Sequence, residues 1–331
     1  MYVPVAHSLH LHVRAGFAPG PRLGHPADTT ISYRPVTGEG PPYAKSCQPT
    51  NWLDIQGRSV AATEAGWRVI AEPQAVVSID GAVAELILNR PGSLNAITEE
   101  MLLAIEDGIG LIEARRSVRA LVVRGEGRAF CAGADLAAAA SRLDAADELA
   151  EHAAIWRRVL QRLESSPVPS IAAVHGVAVA GGLELTLACD MVAMAADARI
   201  GDGHAKWGLA PSGGATQRLP RTTGRRHASW LLFSGELVDA REALAIGLVN
   251  AVVPPEELLD HVRDMARTIA SRSPAAVTSM KRAVRAGLDG ATLGDGLDLE
   301  GRLLQEHGHR PDMKIGQAAF TSRSVPRFPD R

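Results

Sequence analysis

Cysteine is scarce in this sequence, and long apolar runs are missing from it. Its three cysteines, Cys47, Cys131 and Cys189, are an odd number at unrelated spacings. They fit neither a disulfide framework nor a metal site, and they indicate a reducing compartment. No apolar run approaches the roughly 20 residues that span a bilayer, and no basic region followed by an apolar one opens the chain. We therefore expect a cytoplasmic protein without a membrane segment.

An excess of charge of either sign is also lacking. Lys and Arg number 35 against 37 Asp and Glu, which gives a net charge of −2, and the basic residues are spread along the chain. Neither a nucleic acid nor an anionic membrane is expected as the main partner. Gly213-Gly214 lacks the Lys-Ser/Thr of a phosphate loop, and no His, Cys, Asp or Glu cluster has metal-ligand spacing. A metal site is therefore not predicted.

The composition is that of an ordinary globular protein. Two regions of the chain differ in their sequence pattern. The 331 residues are 46% hydrophobic and 22% charged, enough for one large domain with a substantial core. Residues 1–72 contain clustered Pro and Gly without periodicity, and we interpret them as an N-terminal extension. A disordered tail, or a start codon assigned too far upstream, is favoured for these residues over a weak transit peptide. Residues 73–331 form the predicted domain, with a core at about 73–270 and a helical region at about 271–331.

Short strands alternate with helices in this domain. The predicted strands are 76–80, 83–89, 119–124 and 170–175, and the predicted helices are 98–115 and 142–164. Thr98 is the expected N-cap of the first helix. After about residue 212 the pattern becomes almost entirely helical. The alternation predicts an α/β fold with βαβ units.

Two segments combine a strand, a turn of small residues and a helix. They are Arg128-Ala-Phe-Cys-Ala-Gly-Ala-Asp135 and His175-Gly-Val-Ala-Val-Ala-Gly-Gly-Leu-Glu184. Small residues allow the backbone to approach a ligand closely, and a helix N-terminus offers unpaired N–H groups. Two such turns that converge would form an oxyanion hole. Either segment alone is equally well explained as a tight turn, whereas the two together in this order are far more specific.

The chain resembles the enoyl-CoA hydratase/isomerase, or crotonase, family in the pairing of GRAFCAGADL with AAVHGVAVAGGLELTLACD. Further matches are LNRPGSLNAIT before this pair and TQRLPR and AAFTSRSVPRFPDR after it, so the resemblance covers about residues 75–331. It implies a crotonase-like core of repeated ββα units with a helical C-terminal region. It also implies an acyl-CoA substrate and a homotrimer or hexamer. Coenzyme A would enter as part of the substrate, so no separate cofactor is expected.

The resemblance also assigns binding roles by position. The two oxyanion donors would be the backbone N–H groups of Ala134 and Gly181. The coenzyme A moiety would be bound by a segment and by backbone near the first turn, which together comprise Gly92, Ser93, Leu94, Ala96, Ala132 and Asp135. Asp135 is expected to order the oxyanion loop.

Glu184 is the predicted acid/base residue. It lies three residues beyond Gly181, about one helical turn, so its carboxylate can reach a thioester whose oxygen is held at that turn. The competing interpretation is an ordinary solvated glutamate on a helix.

His204 marks a departure from the family pattern. Hydratases of the family usually have a second glutamate at this position, counted back from Thr216-Gln217-Arg218-Leu219. His204 could act as the second acid/base, with Asp202 holding its ring, because imidazole titrates near neutral pH. Alternatively, Glu184 works alone and the reaction is an isomerisation, or the histidine marks carbon–carbon hydrolysis or decarboxylation. It could also simply line the pocket.

Three other side chains are weaker candidates. His175 is expected to be a structural, hydrogen-bonded histidine, and Cys131 a packing residue without a base to activate it. Trp207 is equally compatible with the acyl pocket and with the core.

Three functions remain open from the sequence. The first is an enoyl-CoA hydratase-like lyase that works through an enolate, and the second is an isomerase or a C–C hydrolase or decarboxylase of the same superfamily. The third is an acyl-CoA-binding subunit without activity, against which the intact oxyanion segments and Glu184 argue.

Overall fold

A computed structural model describes residues 73–136 and 146–331, together with three short strands before residue 73. Strands β1 to β12 are Asn51–Asp54, Ala61–Thr63, Gly66–Arg68, Ala75–Asp80, Val83–Leu88, Ala120–Gly125, Ser170–Val174, Val177–Val179, Met191–Ala195, Arg199–Gly201, Leu237–Asp239 and Ala251–Val253. Helices α1 to α9 are Glu99–Ala114, Ala146–Ser165, Gly181–Leu187, Ala215–Ser234, Ala240–Ala245, Leu258–Ala270, Pro274–Leu288, Leu293–Gly308 and Asp312–Ser322. Short 3₁₀ turns occupy Pro91–Ser93, His204–Trp207 and Pro255–Glu257.

A seven-stranded sheet forms the centre of the fold. Its order is β1-β4-β5-β6-β7-β9-β12. The last five strands in this order are parallel to one another, and β4 is antiparallel to both β1 and β5. Every residue of β7 is buried, as expected for a parallel strand covered on both faces. The predicted α/β class is confirmed.

A second sheet of three strands lies beside the first, in the order β11-β10-β8. Strand β8 is parallel to β10, with Val179 opposite Gly201. The chain contains two ββα units, β7-β8-α3 and β9-β10-α4. In each unit the first strand belongs to the seven-stranded sheet and the second to the three-stranded sheet. Because parallel strands end at the same edge, α3 and the turn after β10 begin side by side.

Helix α1 begins where its sequence signals predict. The side chain of Thr98 accepts a hydrogen bond from the Met101 N–H (3.2 Å), and Glu99 and Glu100 lie in the first turn, near the positive end of the helix dipole. Most of its apolar residues, among them Met101, Ile105 and Ile112, are buried, and the helix packs on β4, β5 and α2.

Helix α6 covers the opposite face of the central sheet. Its buried residues Leu258, Val262, Ala266 and Ala270 recur every four positions, which is the stripe of an amphipathic helix. They pack on β5, β6, β7 and β9.

The expectation of an almost entirely helical pattern after residue 212 was incomplete. Strand β11 pairs with β10, and β12 pairs with β9, so both sheets are finished by chain from this region. Strands of three residues are too short to show a period of two, and tertiary pairing alone determines them.

The predicted N-terminal extension, residues 1–72, lies mostly outside the described residues. Within it, β1 pairs antiparallel with β4, and β2 pairs antiparallel with β3. The predicted helix 142–164 is present as α2, Ala146–Ser165, and only its first residues lie outside the described ones. Among those described, no helix is both long enough and apolar enough to cross a membrane.

Candidate active site

The two small-residue segments predicted from the sequence lie against each other. Cys131 forms a bridge with Ala178 of β8: its N–H donates to the Val177 carbonyl (3.0 Å), and its carbonyl accepts from the Val179 N–H (3.0 Å). Gly133 has φ +97°, and a Cβ added there would lie 3.0 Å from the Cβ of Ala180. Glycine is therefore required where the segments meet.

Ala134 and Gly181 both present backbone N–H groups at this junction. The bridge between Ile97 and Ala134 uses the carbonyl of Gly133 and the N–H of Asp135, which leaves the N–H of Ala134 unused. Gly181 is the first residue of α3, where an N–H has no partner within the helix. No acceptor for either N–H is found in the part of the chain that the structure describes.

The backbone just before α3 is strained. Ala180 has φ 54° and ψ −114°, a conformation that residues other than glycine rarely adopt. Its N–H donates to the carbonyl of Gly201 at the end of β10 (3.1 Å), which helps to hold this conformation. The strain turns the chain sharply into α3 and thereby sets the direction of the Gly181 N–H.

Glu184 lies in the first turn of α3 and is only 2% exposed. Its Oε1 accepts hydrogen bonds from the N–H groups of Gly213 (2.8 Å) and Ala215 (3.1 Å). Burial raises the pKa of Glu184, and this outweighs the opposite effects of Ala215, of the nearby His204 charge and of Gly213. Interpretation of Glu184 as a solvated surface glutamate was wrong.

His204 begins the 3₁₀ turn that follows β10, and its side chain is 12% exposed. Its Nδ1 lies 2.9 Å from Oδ1 of Asp202, and its backbone N–H donates to Oδ2 of the same carboxylate (3.3 Å). The predicted contact between the two residues is present. Burial alone lowers the pKa of His204, but the hydrogen bond and charge of Asp202, together with the charge of Glu184, raise it above its ordinary value.

The segment predicted to bind coenzyme A packs beside the first turn. Gly92 and Ser93 are exposed in the Pro91–Ser93 turn, and Leu94 accepts a hydrogen bond at its carbonyl from the Ala132 N–H (2.9 Å). Ala96 is partly buried. Asp135 pairs with Arg90 (2.9 Å), which ties the end of the oxyanion segment to this loop.

Comparisons with known proteins agree with this architecture. Residues 78–331 match the family model described as enoyl-CoA hydratase/isomerase. The crotonyl-CoA hydratase of Syntrophomonas wolfei is 35% identical over 74% of this chain and 94% of its own length. The short-chain-enoyl-CoA hydratase of Clostridium acetobutylicum is 34% identical over 77% of this chain and 98% of its own. A crystal structure of enoyl-CoA hydratase from Bacillus anthracis has a TM-score of 0.74 at 32% identity, covering 77% of this chain and 98% of that one.

The chain belongs to the enoyl-CoA hydratase/isomerase family.

Membership of the enoyl-CoA hydratase/isomerase family confirms the resemblance seen in the sequence and the crotonase-like fold. It also establishes the chain as a member of an enzyme family.

Asn95 is a buried polar residue of the site that was not predicted from the sequence. Its Nδ2 donates to the carbonyls of Glu126 (2.9 Å) and Ala129 (2.8 Å), and its Oδ1 accepts from the Arg90 N–H (2.8 Å). It thereby fastens the Gly92–Ala96 loop to the segment that leads into the first turn. Asparagine tolerates its φ of 55° better than most residues do, but no pattern in the surrounding sequence signals this role.

Trp156 of α2 is a second residue of the site that was not predicted from the sequence. A Cβ on Gly181 would overlap its indole ring, so the ring packs directly on the backbone of the second oxyanion segment. Its Nε1 donates to Nε2 of His152 (3.0 Å), one helical turn away. A Trp and a His spaced four apart on a helix were the signal, although such a pair occurs in many cores.

The weaker candidates are placed as follows. His175 Nε2 contacts the Gly127 carbonyl (3.0 Å), as expected of a structural histidine. Cys131 is fully buried, and burial raises its pKa to about 12, which makes it a packing residue. The core interpretation of Trp207 was wrong, because its side chain is 75% exposed. In the described ranges, no group of three His, Cys, Asp or Glu residues could hold a metal ion.

Proposed function

We propose that the protein is an enoyl-CoA hydratase-like lyase, which adds water to the double bond of an enoyl-CoA thioester. The observation that carries this proposal is the buried carboxylate of Glu184, one helical turn after the unpaired N–H of Gly181, at the junction where Ala134 presents a second unpaired N–H. The relatives named crotonyl-CoA hydratase and short-chain-enoyl-CoA hydratase support a short enoyl chain.

In this proposal the N–H groups of Ala134 and Gly181 form the oxyanion hole. Both donate to the thioester oxygen, which gains negative charge when the enolate forms. A preorganised donor of this kind lowers the barrier by about 3–4 kcal/mol. Because their geometry is fixed by the Gly133 contact and by Ala180, little reorganisation is needed during the reaction.

Glu184 and His204 would move the two protons of the reaction. Glu184 takes a proton from water as the water oxygen bonds to Cβ, and the electron pair of the double bond passes to the thioester oxygen as an enolate. The enolate returns this pair to Cα, which takes the proton of the His204 ring. Glu184 is then protonated and His204 neutral, and proton exchange with solvent restores both.

We also propose that coenzyme A is bound by the surface that Gly92, Ser93, Leu94, Ala96, Ala132 and Asp135 provide. Its support is that the Gly92–Ala96 loop contacts the first oxyanion segment through the Ala132–Leu94 hydrogen bond and the Arg90–Asp135 pair. No cofactor beyond the coenzyme A of the substrate is proposed. A cytoplasmic location stays part of the proposal, supported by the free thiols of Cys131 and Cys189.

A homotrimer or a hexamer is proposed as the assembly. Helix α7 exposes Met280, Val284 and Leu288, which are spaced four residues apart on one face, and α8 exposes Leu297 and Leu304, seven apart. Monomeric proteins rarely expose apolar stripes of this extent, and a second copy of the chain is the occupant we propose.

A second candidate is isomerisation or carbon–carbon cleavage within the same superfamily. The observation that favours it is the histidine at the position of the second glutamate. The same enolate and oxyanion donors would serve both reactions, so only the products separate them.

The test is incubation of the purified protein with crotonyl-CoA, followed by absorbance of the conjugated thioester and by mass of the product. Hydration predicts loss of the absorbance and a gain of one water. Loss of absorbance without a gain in mass would indicate isomerisation. Binding without turnover of this or any other acyl-CoA would support an inactive binding subunit and contradict the proposal.

A further inference from the structure

Asp202 is an unusual residue for the position that it occupies. It is fully buried, and its two oxygens receive the ring and the backbone N–H of His204. Within the described residues no other side chain or backbone group forms a hydrogen bond with this carboxylate. Burial of a carboxylate is costly unless its charge is compensated, and the imidazolium of His204 provides that compensation.

The local backbone is built to keep this contact. Gly203, between the two residues, has φ +71°, and a Cβ there would lie 2.7 Å from a methyl of Val179. A Cβ on Gly201 would overlap the carbonyl of Glu236. Both neighbours of Asp202 must therefore be glycine.

The contact fixes which ring nitrogen can take part in proton transfer. With Nδ1 bonded to Asp202, the second proton of the imidazolium resides on Nε2. In the described part of the chain Nε2 forms no hydrogen bond, and the charge of Glu184 acts on the ring.

The total charge of Glu184, His204 and Asp202 can be compared with that of a site that has two carboxyl groups. Two carboxyl groups that share one proton carry a total charge of −1. Glu184 ionised, His204 protonated and Asp202 ionised also sum to −1, with one proton available for transfer. Without Asp202 the same site would be neutral, and the imidazolium would be held only by Glu184.

We propose that Asp202 is a positioning residue that makes the His204 ring equivalent, in charge and in transferable protons, to a single un-ionised carboxylic acid. The proposal rests on the proposed hydration. It explains how a histidine can occupy the second glutamate's position without changing the charge felt by the enolate. The charged groups around His204 are Asp202 at the end of β10, Glu184 on α3, and the outer ion pair of Lys206 with Glu236 (3.0 Å).

Four proteins test the proposal: wild type, Asp202→Asn, His204→Glu and the double variant. Asp202→Asn should lower kcat at least about tenfold, with little effect on KM, because only proton transfer is impaired. His204→Glu places a third carboxyl group in the site and should be nearly inactive at neutral pH. The double variant restores a site with two carboxyl groups, so its kcat should exceed that of His204→Glu at least about tenfold. Asp298→Asn, on the exposed face of α8, is the control and should match the wild type.

Independent losses in the two single variants, with a double variant worse than either, would overturn the proposal. A readout without substrate separates it from the proposed function: an NMR titration of the His204 ring. In the wild type the pKa of His204 should lie above 6.5, with the Nδ1 proton in a hydrogen bond, and Asp202→Asn should lower it. A wild-type pKa at or below 6.5 would overturn the proposal even if Asp202→Asn fails to fold. Failure of wild-type hydration with a raised pKa would instead contradict only the proposed reaction.

Discussion

At the scale of single residues, the candidate site depends on environments rather than on residue types alone. Glu184 is an ordinary glutamate in the sequence, and its burial beside two N–H donors is what suits it to proton transfer. For His204 the balance is the opposite. Burial disfavours the charged ring, but the hydrogen bond and charge of Asp202 favour it more strongly.

Because these are the environments of the free enzyme, they predict a bell-shaped dependence of kcat/KM on pH. Glu184 must be ionised to act as the base. Because its pKa is raised above 4.5, activity should rise with pH over a range that lies above 4.5. His204 must be protonated, and its pKa is raised above 6.5, so activity should fall as the pH rises through a second range above 6.5. Steady-state kcat/KM values between about pH 5 and 10 measure both limbs. A rate that continues to rise through the alkaline range would contradict the role of His204 as an acid.

At the scale of elements, helix α2 determines where the second oxyanion donor lies. The indole of Trp156 occupies the space that a side chain on Gly181 would need, and a hydrogen bond to His152 holds the ring. The donor is thus fixed by the packing of α2 against α3 as well as by the strained backbone at Ala180.

Gly181→Ala should impair catalysis and, because it overpacks a buried site, should also lower stability by about 1–3 kcal/mol. The new methyl group collides with a buried ring, and relief of the collision moves the N–H away from the thioester oxygen. The loss of one oxyanion donor predicts a fall in kcat of about 100- to 1,000-fold. Gly287→Ala is the matched control, because a Cβ at this position in α7 meets no atom within 4 Å. Equal activity of the two variants would show that the Gly181 N–H takes no part in the reaction.

Elements also show which features the sequence could and could not predict. Thr98 and the alternation around residues 76–125 carry local signals, and α1 and the strands β4 to β6 appear where they were expected. Strands β11 and β12 carry no such signal, since three residues acquire their conformation from the partner strand. The position of Glu184 relative to Gly181 followed from helix spacing. The spacing of His152 and Trp156 predicts their mutual contact but not the packing of Trp156 on Gly181, and the contacts of Asn95 have no local signal.

At the scale of the whole molecule, the C-terminal helices expose more apolar surface than a monomer would be expected to show. Met280, Val284 and Leu288 are exposed on α7, and Leu297 and Leu304 are exposed on α8. Burial of these side chains between copies of the chain would stabilise an assembly, at about 25 cal/mol for each Å² of apolar surface removed from water.

Sedimentation equilibrium of the wild type should accordingly give a mass of three or six chains. Combined substitution of Val284→Asp and Leu297→Glu should shift this mass towards a single chain, because two charges would be buried at the interface. Arg241→Glu, on an exposed position of α5, is the control for a change of charge alone. A monomeric wild type would contradict the proposed assembly.

The most direct test of the central claim compares the wild type with Glu184→Gln on crotonyl-CoA, with both turnover and binding measured. Glutamine is nearly isosteric and can still accept the N–H bonds of Gly213 and Ala215, but it takes no proton from water. We expect the wild type to add water to the thioester, whereas Glu184→Gln should bind it with similar affinity and lose turnover by at least about 1,000-fold. Glu300→Gln, exposed on α8, should behave as the wild type does. Full hydration by Glu184→Gln would contradict the assignment of this carboxylate as the base.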